Sequence, residues 1–331
     1  MASSPPPYPS APLSNVRPEP SNSSATTSAG DCSDELGRLR EWFGNQSVVV
    51  AFSGGVDSSV VLAAALGSAA ERVVAVTAVS PSVAGWQIEI AKQVAEQLGA
   101  EHRLIQTSEV ELPEYRVNDR NRCFHCKSTL YETLYETLSE GLSDALDVTV
   151  VEESRQNLLP KQADSASNCN QVVVSGTNAD DLGDYRPGIA AGDQAGVRKP
   201  LAELGFGKSI VRQLAAEMGL SNADLPASPC LASRIAYGVE VTPARLKMIE
   251  SAETLMKELG VENGRVRLHE GDLARIEVPA ELIPRLLVPD AMKHIATGLR
   301  SIGFQYVTVD LEGFQSGSMN RPLVSIEVSA K

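Results

Sequence analysis

The string Ser53-Gly54-Gly55-Val56-Asp57-Ser58 sets two glycines, two hydroxyls and a carboxylate in one short run, between an apolar segment and an Ala/Val/Leu-rich one. In an alternating α/β sheet that is where phosphate is held, at the carboxyl end of a strand and the N-terminus of a helix. Glycines let backbone N–H groups approach phosphate oxygens, and the hydroxyls of Ser53 and Ser58 add donors. Asp57 has the wrong sign for an anion site unless a Mg2+ ion stands between it and the phosphates. The plain alternative is a tight strand-to-helix turn with a Ser/Asp cap. No Gly-Lys-Ser/Thr follows at the Walker spacing.

A second group is sulfur. Cys123-Phe124-His125-Cys126 is a Cys-x-x-Cys pair: half a zinc site, a redox pair, or two helix-start residues with no role. His125 could complete a zinc site, although its spacing turns it away from one of the pair. Cys230 stands alone in Ser-Pro-Cys-Leu. A third group is basic: Arg265 and Arg267 alternate, so on a strand they share a face and suit bidentate grip of a phosphate. A solvated strand face paired with acids is the alternative. Arg234, near Cys230, is a weaker candidate. Trp86 and Tyr185 could stack on a ring or serve as core and rim aromatics.

These residues need elements to hold them. Helix Asp34–Phe43 is stopped by Gly44, strand Ser47–Phe52 leads into the glycine loop, and a helix runs on through Leu66. Strand Arg72–Val79, helix Gln87–Leu98, strand His102–Gln106, helix Cys126–Leu138, strand Gln171–Gly176 and helix Lys208–Met218 follow. Near-continuous apolar strands alternating with helices predict a doubly wound parallel α/β sheet over 32–222. Asn178, Asp180 and Asp181 then project from the same sheet edge as the glycine loop; an Asp-rich turn capping a helix is the alternative. Residues 141–170 lack periodicity and read as an insertion loop. From 223 the texture changes: helix Pro243–Leu259, strands Arg265–Leu268 and Ala274–Val278, helix Pro289–Ile302, and strands Tyr306–Leu311 and Val324–Val328 predict a smaller α+β domain.

SGGVDS matches the signature of the PP-loop enzymes, which cleave ATP between its α- and β-phosphates. Within that class the chain resembles the LarE-type sulfur transferases of nickel-pincer cofactor synthesis. The resemblance is carried, in order, by AFSGGVDSS (Ala51–Ser59), RCFHCKSTLY (Arg122–Tyr131), SGTNADDLGDYRPG (Ser175–Gly188), ASPCLASRIAYG (Ala227–Gly238), RVRLHEGDLARIEV (Arg265–Val278) and LEGFQSGSMN (Leu311–Asn320). It implies a PP-loop (adenine nucleotide α-hydrolase-like) fold and an enzyme that adenylates the carboxylates of pyridinium-3,5-biscarboxylic acid mononucleotide and replaces oxygen with sulfur. ATP falls to Ser53, Gly54, Gly55, Asp57, Ser58 and Asp181, with Asp57 and Asp180 or Asp181 organising Mg2+. The substrate phosphate falls to Arg265, Arg267 and Arg234. Family members differ in sulfur source: some sacrifice a cysteine, which matches Cys230, and others hold a 4Fe–4S cluster on three cysteines, which match Cys123, Cys126 and Cys230. The resemblance further implies a homohexamer and, with a cluster, a sulfide-supplying partner. The insertion and the long N-terminal tail depart from the family pattern.

Composition narrows the rivals. A formal net charge of -13 gives no electrostatic footprint for a long nucleic acid, which weighs against a tRNA thiolase of the same class. No run of about 18 apolar residues predicts a membrane span. An amidating synthetase, whose ammonia-supplying domain is absent here, would draw on an external ammonia source, and a nucleotide-binding module without turnover is a further alternative. Five cysteines without a disulfide pattern suggest a reducing, cytoplasmic setting, with Cys32 and Cys169 as unligated thiols. Residues 1–31, rich in Ser, Pro and Ala, read as a disordered tail; with Arg17 as their lone cation they make a poor organelle transit peptide.

Overall fold

A computed structural model describes residues 32–139, 171–183, 186–315 and 317–320. The tail, the insertion with Cys169, Tyr185 and the expected strand Val324–Val328 lie outside the described residues. Helix α1 (Ser33–Phe43) precedes β1 (Ser47–Ala51), α2 (Val56–Leu66), β2 (Arg72–Val79), α3 (Gly85–Gln97), β3 (Glu101–Gln106), the short α4 (Pro113–Arg116), α5 (Arg122–Ser139) and β4 (Gln171–Ser175). The four strands form one parallel sheet in the order β3-β2-β1-β4, so all carboxyl ends open on one edge.

Successive strand residues face opposite sides, and both sides are apolar because helices cover both. Val48 and Val50 pack with Leu39, Phe43, Val60 and Leu214 on one face. Val49 packs with Ile105, Leu130, Tyr131 and Leu134 on the other. After β4 come α6 (Pro187–Gln194), α7 (Pro200–Glu203) and α8 (Lys208–Glu217). Arg198 pairs with Val174, so this stretch lines the outer side of β4.

The remainder builds α9 (Pro243–Glu258), β5 (Arg265–His269), β6 (Leu273–Glu277), α10 (Ile283–Leu286), α11 (Pro289–Ile302) and β7 (Tyr306–Val309). Pro243 occupies the first turn of α9 and the Thr242 hydroxyl accepts from Arg245 N at 3.2 Å, a local start signal. β5 and β6 are antiparallel and β7 joins β6 in parallel. The core beneath this sheet, with Ile249, Met256, Val266, Ile276, Leu299 and Phe304, also takes Ala84, Val110 and Tyr115 from the first lobe. No helix among the described residues is long and apolar enough to cross a membrane.

Candidate active site

The glycine loop leaves β1 and enters α2. Gly54 has φ +70°, and a Cβ there would stand 2.7 Å from Ala91 Cα in α3, so side chains are excluded twice over. Ser53 Oγ and Ser58 Oγ are 3.2 Å apart, Gly55 N donates to Ser53 Oγ at 3.3 Å, and Ser58 Oγ donates to Gly55 O at 3.0 Å. Gly176, just past β4, lies so close that a Cβ would meet Ser58 N at 2.6 Å. Two residues on, the fully buried Asn178 donates through Nδ2 to Asp57 Oδ2 at 3.1 Å.

The acidic pair next to Asn178 divides its work. Asp180 Oδ2 accepts from Lys208 N at 2.7 Å and so caps α8. Asp181 is buried, accepts from Asn178 N at 3.2 Å, and meets Arg186 Nη1 at 2.7 Å. Burial raises the Asp57 carboxyl above its ordinary range; the Asn178 bond opposes this, and the Asp181 charge adds to the rise. Two carboxylates beside the glycine loop and the start of α2 suit a divalent cation carrying phosphates, although Arg186 also engages Asp181.

The three sequence-predicted cysteines come from two segments and meet beside the ends of β2 and β3. Cys123 and Cys126 occupy the first turns of α5. Leu231 N donates to Ser82 O at 2.8 Å, which ties the Cys230 turn to the end of β2. Burial, then Glu109 and Cys230, push the Cys126 thiol far above its ordinary range. Cys123 is raised by its surroundings and then by Cys230, while Arg122 opposes. Cys123 is exposed, while Cys126 and Cys230 are half-buried. Three soft thiols match the donor chemistry of an iron–sulfur cluster. As they stand they do not form a ligating set: among the described residues no group of three His, Cys, Asp or Glu is spaced to hold a metal ion. His125 rests edge-on against Phe124.

Around the thiols stand residues the sequence reading missed. Glu109 is 2% exposed; Oε1 accepts from Ser80 Oγ at 2.5 Å and Oε2 is buried with no hydrogen-bond partner among the described residues. Tyr115 OH lies 2.7 Å from Ser82 Oγ and is raised by burial and by the nearby Cys230 and Cys126. Lys127, one residue past Cys126, is raised by Tyr131 and all three thiols against its own desolvation. Asn118, fully buried at φ +59°, ties this wall to the second lobe through Ala236 O and Val239 O. Lys127 falls inside the RCFHCKSTLY segment, but Glu109, Tyr115 and Asn118 carry no motif signal; a positive-φ asparagine and a buried carboxylate become visible only once partners are assigned.

The arginines fall into place one by one. Arg234 is 1% exposed, pairs with Glu253 at 3.1 Å and donates to Cys230 O at 3.0 Å, so it holds the cysteine turn. Arg267 is buried against Glu277 at 2.7 Å. Arg265 lies over Phe314, donates to Gly264 O, and makes no ion pair among the described residues. Burial and then Arg234 press its guanidinium below its usual range, while Glu253 and Glu277 oppose this. Trp86 is covered by Lys257, whose Nζ lies 4.6 Å from the ring centre.

Residues 40–123 match the asparagine synthase family model, which covers the glycine loop within the PP-loop class. Pyridinium-3,5-bisthiocarboxylic acid mononucleotide synthase of Lactiplantibacillus plantarum is 34% identical over 285 residues, 86% of this chain and 92% of that one. The chain belongs to this LarE-type family. An uncharacterized Synechocystis protein is similar to this LarE-type chain at 40% identity over 290 residues, 87% of it and 98% of the relative. One from Methanocaldococcus jannaschii is similar at 26% over 280 residues, 84% and 94%. The parallel sheet flanked by helices is the PP-loop fold, and both it and the family support an ATP-dependent enzyme.

Proposed function

We propose that the chain adenylates the carboxylates of pyridinium-3,5-biscarboxylic acid mononucleotide with ATP and replaces the activated oxygen with sulfur, in nickel-pincer cofactor synthesis. A carboxylate is a poor electrophile because it would have to expel oxide. Once its oxygen attacks the α-phosphate and pyrophosphate departs, the acyl carbon can expel AMP instead. The glycine loop from Ser53 to Ser58 receives the triphosphate, and Asp57 with Asp181 holds the Mg2+ that neutralises the leaving pyrophosphate. Asp180 stiffens this corner from the start of α8. Arg265, with Arg267 behind it, receives the substrate phosphate, and Arg234 sets the Cys230 turn.

The observation that carries this reading is the convergence of Cys123, Cys126 and Cys230 at the sheet edge that also bears the glycine loop. Cys123, Cys126 and Cys230 would be the residues to hold a 4Fe–4S cluster, which when bound would supply the sulfide. The lack of a ligating arrangement as they stand favours a second reading, in which Cys230 gives up its own sulfur. The chain then acts as a homo-oligomer, and in the cluster form it draws sulfide from a partner.

Anaerobic purification followed by counts of iron, acid-labile sulfide and zinc separates the two. About four irons with matching sulfide, lost in Cys230→Ala, support the cluster. Little iron, with a chain lighter after turnover by the mass of one hydrogen sulfide molecule, supports the sacrificial cysteine. Substantial zinc recasts the thiols as structural. No pyrophosphate release with ATP, Mg2+ and the biscarboxylate mononucleotide overturns the proposal as a whole.

A further inference from the structure

Asn222 lies far along the chain from the glycine loop, in the segment leading to Cys230, and is 6% exposed. Its Nδ2 donates to Gly54 O at 2.7 Å and to Ser59 Oγ at 2.9 Å, both buried. Ser59 Oγ in turn donates to Gly55 O at 3.0 Å. Because that hydroxyl hydrogen is committed to Gly55 O, the amide of Asn222 has to be the donor to Ser59. One side chain thereby holds the Gly54 carbonyl directly and, through Ser59 Oγ, reinforces the Gly55 carbonyl that Ser58 Oγ and Ser59 N also engage.

In a trans peptide the C=O and the following N–H point in opposite directions. Drawing the Gly54 carbonyl toward Asn222 therefore turns the Gly55 N–H away from it, onto the exposed side of the loop, where it donates to Ser53 Oγ at 3.3 Å, an acceptor that a phosphate oxygen can replace; the Gly55 carbonyl does the same for the Val56 N–H. This also keeps two carbonyl dipoles from facing an incoming anion. Gly54 in the left-handed region would otherwise be free to flip its peptide. We infer that Asn222 is a positioning residue for the triphosphate: its amide orients the glycine loop so that N–H groups, and not carbonyls, meet ATP.

This rests on the ATP reading of the loop, and the test keeps the two apart. ATP and adenosine are titrated into the wild-type chain, Asn222→Ala, Asn222→Asp and Ser59→Ala, with thermal melting to verify folding. ATP affinity is expected to fall about tenfold in Asn222→Ala, as for two modest hydrogen bonds, and further in Asn222→Asp, whose carboxylate repels the Gly54 carbonyl. Ser59→Ala, which breaks one relay, is expected to lose about threefold. Adenosine affinity stays constant throughout, because the nucleoside does not use these N–H groups. Unchanged ATP binding in Asn222→Ala, or equal losses for ATP and adenosine, overturns the inference. If Asn222→Ala does not fold, Asn222→Asp and Ser59→Ala decide it on the same criterion. A wild-type chain that binds no ATP overturns the reading of the loop itself.

Discussion

Burial and the neighbouring Asp181 both work against the charged form of Asp57, so placing a carboxylate there is expected to serve chemistry at some cost in stability. Asp57→Asn keeps an acceptor for Asn178 while removing the repelling charge. Pyrophosphate release is expected to fall roughly 100-fold while the melting temperature holds or rises, which activity and melting assays read together. His102 gives a prediction in pH. Thr77 Oγ1 donates to Phe52 O at 2.8 Å, so the 2.8 Å contact with His102 has to be donated by the imidazole Nε2. Burial, then Lys92, lowers His102 below its reference value of 6.5. The folded state thus resists a proton that the unfolded chain accepts, and the stabilisation present above pH 6.5 is lost as pH falls through the lower folded value. Wild-type chain is expected to lose more of its urea midpoint than His102→Gln between about pH 7.5 and about pH 5.5. At this scale the sequence displayed residue types but not partners: it could not separate Asp180, which caps α8, from Asp181, which approaches Asp57.

Strands were the most legible elements, because β1, β2 and β4 carry solid runs of valine and alanine, while the edge strand β3 shows only Leu104 and Ile105 as apolar residues. Differences from expectation cluster where site residues interrupt the pattern. α5 begins at Arg122 instead of Cys126 because its first turn is made of thiols and His125, which have no apolar period. α6 and α7 are hidden in the sequence because Pro187, Gly188 and Gly192 read as loop, although proline belongs in a first helical turn. Glycines also set the spacing between elements. Gly176→Ala drives its Cβ into the Ser58 backbone, which cannot swing aside, and is expected to cost about 1 to 3 kcal/mol with a matching loss of ATP binding. Gly188→Ala meets Lys127 Cγ at 3.1 Å, a flexible stem, and is expected to stay within about 0.5 kcal/mol of wild type. Chemical denaturation of the two variants side by side checks the contrast.

Taken whole, the second lobe borrows part of its interior from the first through Ala84, Val110 and Tyr115, and Asn118 and Leu231 stitch the two along the same seam. The change of texture at 223 in the sequence tells of a different sheet, not of how that sheet is roofed. Residues 32–320 are therefore expected to melt in a single calorimetric transition, with van't Hoff and calorimetric enthalpies in agreement; two resolved transitions would sink this. The order in which the loop's supports occur along the chain has a consequence for its birth on the ribosome. Strand β1 and the glycines are made early, but β4, Gly176, Asn178 and Asn222, which brace them, come more than a hundred residues later. A nascent chain stalled before β4 carries the whole nucleotide motif and none of these braces, so the motif becomes a pocket only near the end of synthesis of the first lobe, after a long loop closure.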